Sequence, residues 1–280
     1  MAGFTLTKLA LGNFHYKNYP LTYFLESACR LGIESIELWA AAPHLYVYDY
    51  DKEMIGGLKK ELHTRNLNLI CFTPEQCVYP TNLSSREEYI RKRSVDYFIR
   101  SIEVSEELGC GMMVVTPGQD YFNEDLGEAW KRCRDSLETL SREAEKRGVI
   151  LVLEPLPLYM THIINGVAEL AKMLREVSSP YLKGMLDTDQ MAVYGKDSVA
   201  NYLSTLGSDL RHVHFIDGRP GGHLVPGDGK LPMERYLFDL LRGGYSGYLS
   251  LEILDNNYVT HPESASKDSI RWMADHIRNS

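Results

Sequence analysis

The sequence lacks any pattern that would bring its five cysteines into a shared site. They are odd in number, scattered along the chain and never spaced as Cys-x-x-Cys; their positions are Cys29, Cys71, Cys77, Cys110 and Cys133. This distribution argues against a disulfide framework and against a thiolate zinc site. It is typical of a protein that works in a reducing compartment.

Long apolar runs and basic clusters are also missing. The chain has no stretch of about 20 apolar residues, the length that a membrane-spanning helix needs, so we expect no membrane partner. The first residues lack a basic region followed by an apolar run, so we expect no signal peptide and a cytoplasmic protein. The formal net charge of −8 disfavours a nucleic-acid partner, because phosphate backbones are bound by basic surfaces.

Short apolar runs alternate with longer amphipathic stretches along the 280 residues, with no low-complexity linker between them. Eight such pairs predict strands at Leu6–Leu11, Ser35–Trp39, Leu67–Phe72, Met112–Val115, Val149–Glu154, Leu182–Asp187, His212–Ile216 and Tyr248–Ile253. This arrangement is typical of an α/β protein built as a single (β/α)8 TIM barrel, here predicted as one domain over residues 1–280. The alternative is an open dinucleotide-binding sheet, but no Gly-x-Gly-x-x-Gly follows the first strand.

Charged or imidazole side chains stand at or near the ends of four successive predicted strands. Glu154 follows an otherwise apolar fifth strand, Asp187 ends the sixth, and His214 and Glu252 lie in the seventh and eighth. The carboxyl ends of barrel strands gather at one mouth, so these side chains are expected to meet. Unpaired carboxylates would repel one another there, whereas a divalent cation would bind them. We therefore predict that all four residues are metal ligands.

The kinds of ligand atom narrow the choice of metal. Carboxylate oxygens with one imidazole and no thiolate suit Mn²⁺ or Mg²⁺, and also Co²⁺. Zinc sites more often contain several His or Cys ligands. We expect one divalent ion, Mn²⁺ first, with Mg²⁺, Co²⁺ or Zn²⁺ as alternatives.

Several motifs along the whole chain resemble the xylose-isomerase-like superfamily of barrel sugar isomerases and epimerases. They are Gly32–Trp39 with Pro43-His44, Thr73-Pro-Glu75, Tyr79-Pro80, Leu153-Glu-Pro-Leu156, Leu186-Asp187, Leu210–His214 with Asp217, His223–Lys230, Gly244–Tyr248 and Leu251-Glu252. Within this superfamily the sequence is most similar to ketose 3-epimerases of the D-tagatose/D-psicose type, and closest to the fructoselysine-type enzymes. Each motif alone is weak, but the combination of His-x-His, Pro-Gly-x-Gly and a strand with Glu is specific.

The resemblance implies that the four predicted metal ligands include the catalytic pair, Glu154 and Glu252. Epimerisation next to a carbonyl needs one group to remove a proton and another to return a proton to the opposite face. Two carboxylates on opposite sides of a sugar could do this, while a metal ion stabilises the enediolate charge.

Seven further residues are predicted to bind the substrate: His15, Trp39, His44, Glu75, Gln190, Arg219 and His223. Free-ketose 3-epimerases often have a His where this chain has Gln190, and an acidic residue where it has Met160. Their usual Arg is offset here, at Arg219, in a glycine-rich loop that also contains His223. These departures favour a ketose-amine such as a fructosamine over a free hexulose. Glu37, within the second strand, receives no assignment.

Other functions on the same scaffold remain open. A sugar isomerase, a hydroxypyruvate isomerase and an inosose dehydratase are alternatives within the superfamily. A relative of the abasic-site endonucleases would need more His and Asp ligands and a basic rim, which the net charge of −8 disfavours. A non-catalytic sugar-binding protein would not need both Glu154 and Glu252. The expected partners are a small sugar substrate and further copies of the chain, as a homo-oligomer of two or more subunits.

Overall fold

The computed structural model describes residues 6–277, which contain a closed barrel of eight parallel strands. The strands are β1 (Leu9–Gly12), β2 (Ser35–Ala40), β3 (Asn68–Pro74), β4 (Met112–Val115), β5 (Ile150–Leu153), β6 (Leu182–Asp187), β7 (Leu210–His214) and β8 (Leu249–Leu251). Each strand pairs with the next in sequence, and β8 pairs with β1 to close the barrel. The predicted (β/α)8 fold is confirmed.

Helices connect the strands on the outside of the barrel. Within residues 6–277 the α-helices are α1 (Leu21–Arg30), α2 (Lys52–Thr64), α3 (Glu88–Leu108), α4 (Leu126–Arg147), α5 (Val167–Val177), α6 (Thr188–Tyr194), α7 (Val199–Leu206), α8 (Met233–Arg242) and α9 (Pro262–Ile277). The short helix α6 was not predicted. It begins directly after β6 because the Asp187 side chain caps it, accepting a hydrogen bond of 2.7 Å from the Gln190 backbone N–H.

Strand boundaries differ from prediction by a few residues. Residues Leu6–Lys8, predicted as the start of the first strand, form a 3₁₀ turn instead, and Leu6 is exposed rather than packed in the core. β7 is shifted toward the N-terminus and ends at His214, while β8 is shorter than predicted. An apolar run indicates that a strand is buried, but it does not indicate where the ladder of hydrogen bonds stops.

Two apolar clusters hold the structure together. The larger contains side chains packed between the strands and the surrounding helices. The smaller includes one side chain from each of β1, β4, β5 and β6 and two from β3: Ala10, Ile70, Cys71, Val114, Val152 and Met185. This division is expected for a barrel, because residues of a strand alternate between the two sides of the sheet. Ile70 and Cys71 are successive because the β2–β3 register shifts at that point.

The turn before β5 shows how the chain delivers one candidate ligand. Helix α4 ends at Arg147 and is capped by Gly148, whose φ of 67° is in the left-handed region that glycine adopts without a steric penalty. The chain reverses there and enters β5, and Glu154 follows directly, its backbone N–H bonded to Val115 O at 2.9 Å. No helix within residues 6–277 has both the length and the apolar character needed to cross a membrane.

Candidate metal centre and active site

The four residues predicted at the strand ends come together at one mouth of the barrel. Asp187 and His214 are paired in register as the last residues of β6 and β7, and Glu154 and Glu252 follow β5 and β8. One ligand atom from each residue lies within 4.8 Å of the other three. His214 Nδ1 lies 2.8 Å from Glu252 Oε2 and 3.6 Å from both Glu154 Oε1 and Asp187 Oδ2. We call these four residues the mouth cluster.

Two atoms of the mouth cluster need a partner from outside the protein. His214 Nδ1 and Asp187 Oδ2 are buried and have no hydrogen bond; the short contact from Nδ1 to Glu252 lacks hydrogen-bond geometry. Unpaired buried polar atoms are costly and rare in folded proteins. A divalent cation would satisfy both atoms, and three carboxylates with one imidazole are ligands that Mn²⁺ and Mg²⁺ accept. The residues present therefore fit a divalent metal ion.

The surroundings of the two glutamates of the mouth cluster differ electrostatically. Burial outweighs the influence of the nearby His214 imidazole and raises the pKa of Glu154 to about 7. Burial would also raise the pKa of Glu252 and of Asp187, but the imidazoles of His214 and His223 hold both pKa values below their usual range. Groups whose pKa values are moved apart in this way are suited to separate acid and base roles.

Behind His214 lies a buried network that the sequence did not assign to a function. Glu37 of β2 is fully buried and accepts hydrogen bonds from His214 Nε2 and His212 Nε2, each at 2.9 Å. Thr73 Oγ1 donates a third hydrogen bond to the same carboxylate. Burial alone would raise the pKa of Glu37, but the two imidazoles outweigh it and hold the pKa well below its usual range. The sequence signal was a glutamate inside an otherwise apolar strand.

His223 lies next to the mouth cluster, in the loop after β7. Its Nε2 is 3.4 Å from Asp187 Oδ2 and 3.4 Å from Glu252 Oε2. Asp189, which is fully buried, holds the other side of the ring, with Oδ2 at 3.1 Å from His223 Nδ1. Asp189 also accepts hydrogen bonds from the backbone N–H groups of Gly221 and His223. Sequence reasoning missed Asp189, which orients both the loop and the His223 ring.

Two other residues predicted to bind substrate on this side of the mouth, Gln190 and Arg219, form no side-chain hydrogen bond or ion pair with the mouth cluster among residues 6–277. Gln190 is half-buried in the first turn of α6, and its backbone N–H donates to the Asp187 side chain. Arg219 is exposed in the loop after β7 and, among residues 6–277, forms no ion pair with the mouth cluster. Met160 lines a small cavity together with Gln76 and other residues of the loops after β3 and β5.

Trp39 and Glu75 contact each other on the opposite side of the mouth. Trp39 Nε1 donates to Glu75 Oε2 at 2.8 Å, and Glu75 Oε1 accepts from the backbone N–H groups of Cys77 and Val78. The Phe14 ring lies between this pair and the mouth cluster, with ring centroids 5.7 Å from Trp39 and 6.4 Å from His214. The polar atoms of Trp39 and Glu75 are thus used within the protein.

The two remaining histidines predicted to bind substrate differ in how far their ring nitrogens are paired within the protein. His44 Nδ1 accepts from Asn13 Nδ2 at 2.7 Å, and His44 Nε2 donates to Tyr19 O at 2.8 Å. His15 is fully buried, with Nε2 at 3.0 Å from Ser266 Oγ of α9. His44 is therefore paired on both nitrogens and His15 on one only, since its Nδ1 is buried without a hydrogen bond. Among residues 6–277 neither ring forms a hydrogen bond with the mouth cluster.

The fold and the mouth cluster define a class of protein. A profile described as xylose isomerase-like TIM barrel matches residues 25–276, so the chain belongs to the xylose isomerase-like TIM barrel family. It is 28% identical to fructoselysine 3-epimerase of Shigella flexneri over 257 residues, covering 91% of this chain and 92% of that protein. It is 29% identical to D-psicose 3-epimerase of Ruminiclostridium cellulolyticum over 238 residues, covering 82% of this chain and 77% of that protein.

Solved structures show the same barrel. A D-psicose 3-epimerase from Clostridium cellulolyticum, crystallised with D-tagatose, superposes with a TM-score of 0.79 at 22% identity, covering 97% of this chain and 99% of the other. A 3-keto-D-glucoside 4-epimerase from E. coli superposes with a TM-score of 0.78 at 21% identity, covering 98% of this chain and 99% of the other. At such identities the superpositions show the shared fold alone.

Proposed function

We propose that the protein is a divalent-metal-dependent epimerase that inverts C3 of a ketose or a ketose-amine. The observation that carries this proposal is the mouth cluster, in which Glu154 and Glu252 flank His214 Nδ1 and two buried ligand atoms lack a partner. The similarity to fructoselysine 3-epimerase over 91% of the chain supports the same reaction.

In this proposal Glu154, Asp187, His214 and Glu252 hold the metal ion, which supplies a Lewis acid that stabilises negative charge on the sugar oxygens. One glutamate takes the proton from C3, and the electron pair left behind forms the enediolate of the sugar. The other glutamate gives a proton to the opposite face of the same carbon, so the configuration inverts without net consumption of a proton. The two glutamates exchange roles when the reaction runs in reverse.

We further propose that a 1-substituted ketose such as fructoselysine is preferred over a free hexulose. Met160 is half-buried. The two residues that precede it in the same loop, Leu158 and Tyr159, expose apolar surface. A flexible thioether with exposed apolar neighbours suits a methylene chain, whereas an acidic side chain at Met160 would bind a hydroxyl. Gln190, which stands where free-ketose enzymes often have His, supports the same choice.

Proton exchange at C3 in D₂O tests the reaction and the substrate together. The protein is treated with a chelator, reloaded with Mn²⁺, and incubated with fructoselysine, D-psicose or D-tagatose. We expect exchange to be lost on chelation and restored by Mn²⁺, with the highest kcat/KM for fructoselysine. Full exchange by exhaustively metal-free protein would contradict the metal assignment. A clear advantage for a free sugar would overturn the substrate choice but not the 3-epimerase chemistry.

The remaining expectations from the sequence stay predictions. They are a cytoplasmic location, a homo-oligomer of two or more subunits, and a single domain over residues 1–280. Sedimentation velocity of the purified protein would test the oligomeric state, and a monomer at all concentrations would contradict it.

A further inference from the structure

We propose that Glu37 is a positioning residue for the metal site, which it controls through His214. It fixes the imidazole in the tautomer that carries its hydrogen on Nε2, so that Nδ1 presents its lone pair to the mouth cluster. This inference rests on the proposed metal dependence and deepens it. The contact that carries it is the hydrogen bond of 2.9 Å between His214 Nε2 and Glu37 Oε1.

The contact spans the barrel rather than joining neighbouring strands. Glu37 lies on β2 and His214 on β7, and β8 and β1 separate these two strands in the closed sheet. Both side chains are fully buried, so water does not compete for the hydrogen bond. Because the two residues are anchored in a closed sheet, the direction of the imidazole ring is set by the barrel itself.

The chemistry of the donors fixes which nitrogen of His214 keeps its hydrogen when the ring is neutral, as it is when it binds a metal ion. An ionised carboxylate only accepts hydrogen bonds, and Glu37 is surrounded by His212 Nε2, His214 Nε2 and Thr73 Oγ1. His214 must therefore donate from Nε2. A neutral ring that carries its hydrogen on Nε2 has an acceptor at Nδ1, and that is the buried atom without a hydrogen bond in the mouth cluster.

His214 is also the residue shared by the two groups of side chains that could surround a cation. One group contains Glu37, His212 and His214, and the other is the mouth cluster. A carboxylate that only filled the barrel interior would already be satisfied by His212 and Thr73. The further hydrogen bond from His214 to Glu37 links the barrel interior to the metal site. Carboxylates behind metal-binding histidines fix ring orientation and raise ligand basicity, and their loss typically weakens metal binding by about 10- to 100-fold.

The test is Mn²⁺ affinity at a fixed pH, measured by the electron paramagnetic resonance signal of free Mn²⁺ in a titration. Glu37→Gln keeps the side-chain volume but removes the charge, and we expect it to weaken binding by about 10- to 100-fold. Thr73→Val is the matched control: it removes another donor to the same carboxylate and leaves the His214 bond, so its affinity should stay within about threefold of wild type. Circular dichroism shows whether each variant is folded.

A folded Glu37→Gln variant with wild-type Mn²⁺ affinity would overturn the inference. Wild-type protein that does not bind Mn²⁺ would instead overturn the proposed function, so the two failures are distinguishable. If Glu37→Gln does not fold, ¹⁵N-histidine NMR of the wild-type protein with Zn²⁺ decides. We expect the His214 hydrogen on Nε2 and the metal-induced shift on Nδ1, and the reverse assignment would overturn the inference.

Discussion

The two halves of the barrel mouth use polar side chains in different ways. At the ends of β5–β8, the mouth cluster leaves His214 Nδ1 and Asp187 Oδ2 without hydrogen bonds. At the ends of β1–β3, the polar side-chain atoms of Trp39, His44 and Glu75 all have hydrogen-bond partners within the protein. The first arrangement needs an external partner, and the second does not.

This difference separates binding residues from structural ones more clearly than residue type does. His44 and His214 are both buried histidines close to a strand end, yet the first ring has protein partners on both nitrogens and the second on one only. A buried polar atom is stable only when it is paired. Full pairing within the protein therefore indicates a structural role, whereas two unpaired atoms that converge, as His214 Nδ1 and Asp187 Oδ2 do, indicate a site for a ligand. A single unpaired buried atom, such as His15 Nδ1, does not by itself indicate one.

The largest expected effect comes from removing one glutamate of the mouth cluster. Glu154→Gln or Glu252→Gln should lower kcat by about 10² to 10⁴, because a proton-transfer group is lost. Glu75→Gln is the matched control on the opposite half, since Glu75 is bonded to Trp39 and to backbone N–H groups. We expect Glu75→Gln to keep kcat within about tenfold of wild type, well short of the loss of a proton-transfer group.

Steady-state kinetics with Mn²⁺ content measured in each sample provides the comparison. A glutamine variant of the mouth cluster that binds Mn²⁺ and keeps near wild-type kcat would remove that glutamate from the acid–base pair. A loss in Glu75→Gln as large as in the mouth-cluster variants would erase the distinction between the two halves.

The sequence predicted the barrel and the convergence of the mouth cluster for the same physical reason. Parallel strands place their carboxyl ends at one mouth, so Glu154, Asp187, His214 and Glu252 meet although they are far apart in the chain. Only the periodicity of apolar residues was needed for this step. Whether these residues bind metal stays a prediction that the geometry supports.

Hydrogen-bond partners across the barrel could not be predicted in the same way. Glu37 meets His214 only because β2 and β7 face each other across the closed sheet, a relation set by strand tilt and register. Likewise His15 lies beside Ser266, and His44 beside Asn13, through contacts that no local pattern encodes. Residue type and strand order bring a side chain to the mouth, but they do not indicate whether its atoms are already paired.

A smaller effect, on stability rather than turnover, is expected at Asn13. This fully buried side chain bonds to the backbone of Trp39 through both its amide atoms, and also to His44 Nδ1. Asn13→Ala would leave these groups unpaired and should lower the free energy of unfolding by about 1–3 kcal/mol. Mn²⁺ affinity should stay within about threefold of wild type, because Asn13 does not contact the mouth cluster.

Urea denaturation followed by fluorescence measures the first quantity, and a Mn²⁺ titration measures the second. A variant with unchanged stability and much weaker Mn²⁺ binding would reverse the roles assigned to the two halves.

The last expected effect is a change in how stability depends on pH, at His15. Burial, opposed in part by a hydrogen bond with the backbone of Pro262, lowers the pKa of His15 from 6.5 to about 3. Between these values the unfolded chain binds a proton that the folded protein does not. The free energy of unfolding therefore falls as pH decreases from 6.5 toward 3, by up to about 1.4 kcal/mol per pH unit from this residue. In His15→Gln this contribution disappears, so the decline between pH 6 and pH 4.5 should be less steep than in wild type.

His63→Gln is the control for this measurement, because His63 is an exposed histidine on α2 and its variant should follow the wild-type curve. Urea denaturation at several pH values gives the free energies, and the difference between wild type and His15→Gln cancels the titration of the acidic residues common to both. Repeating the series with Mn²⁺ connects the result to the two halves of the mouth. A bound metal ion keeps its ligands from being protonated. A metal-dependent change in the stability difference between wild type and His15→Gln would therefore place His15 with the mouth cluster. An unchanged difference is expected, since His15 Nε2 is bonded to Ser266 of α9 and, among residues 6–277, the ring forms no hydrogen bond with the mouth cluster.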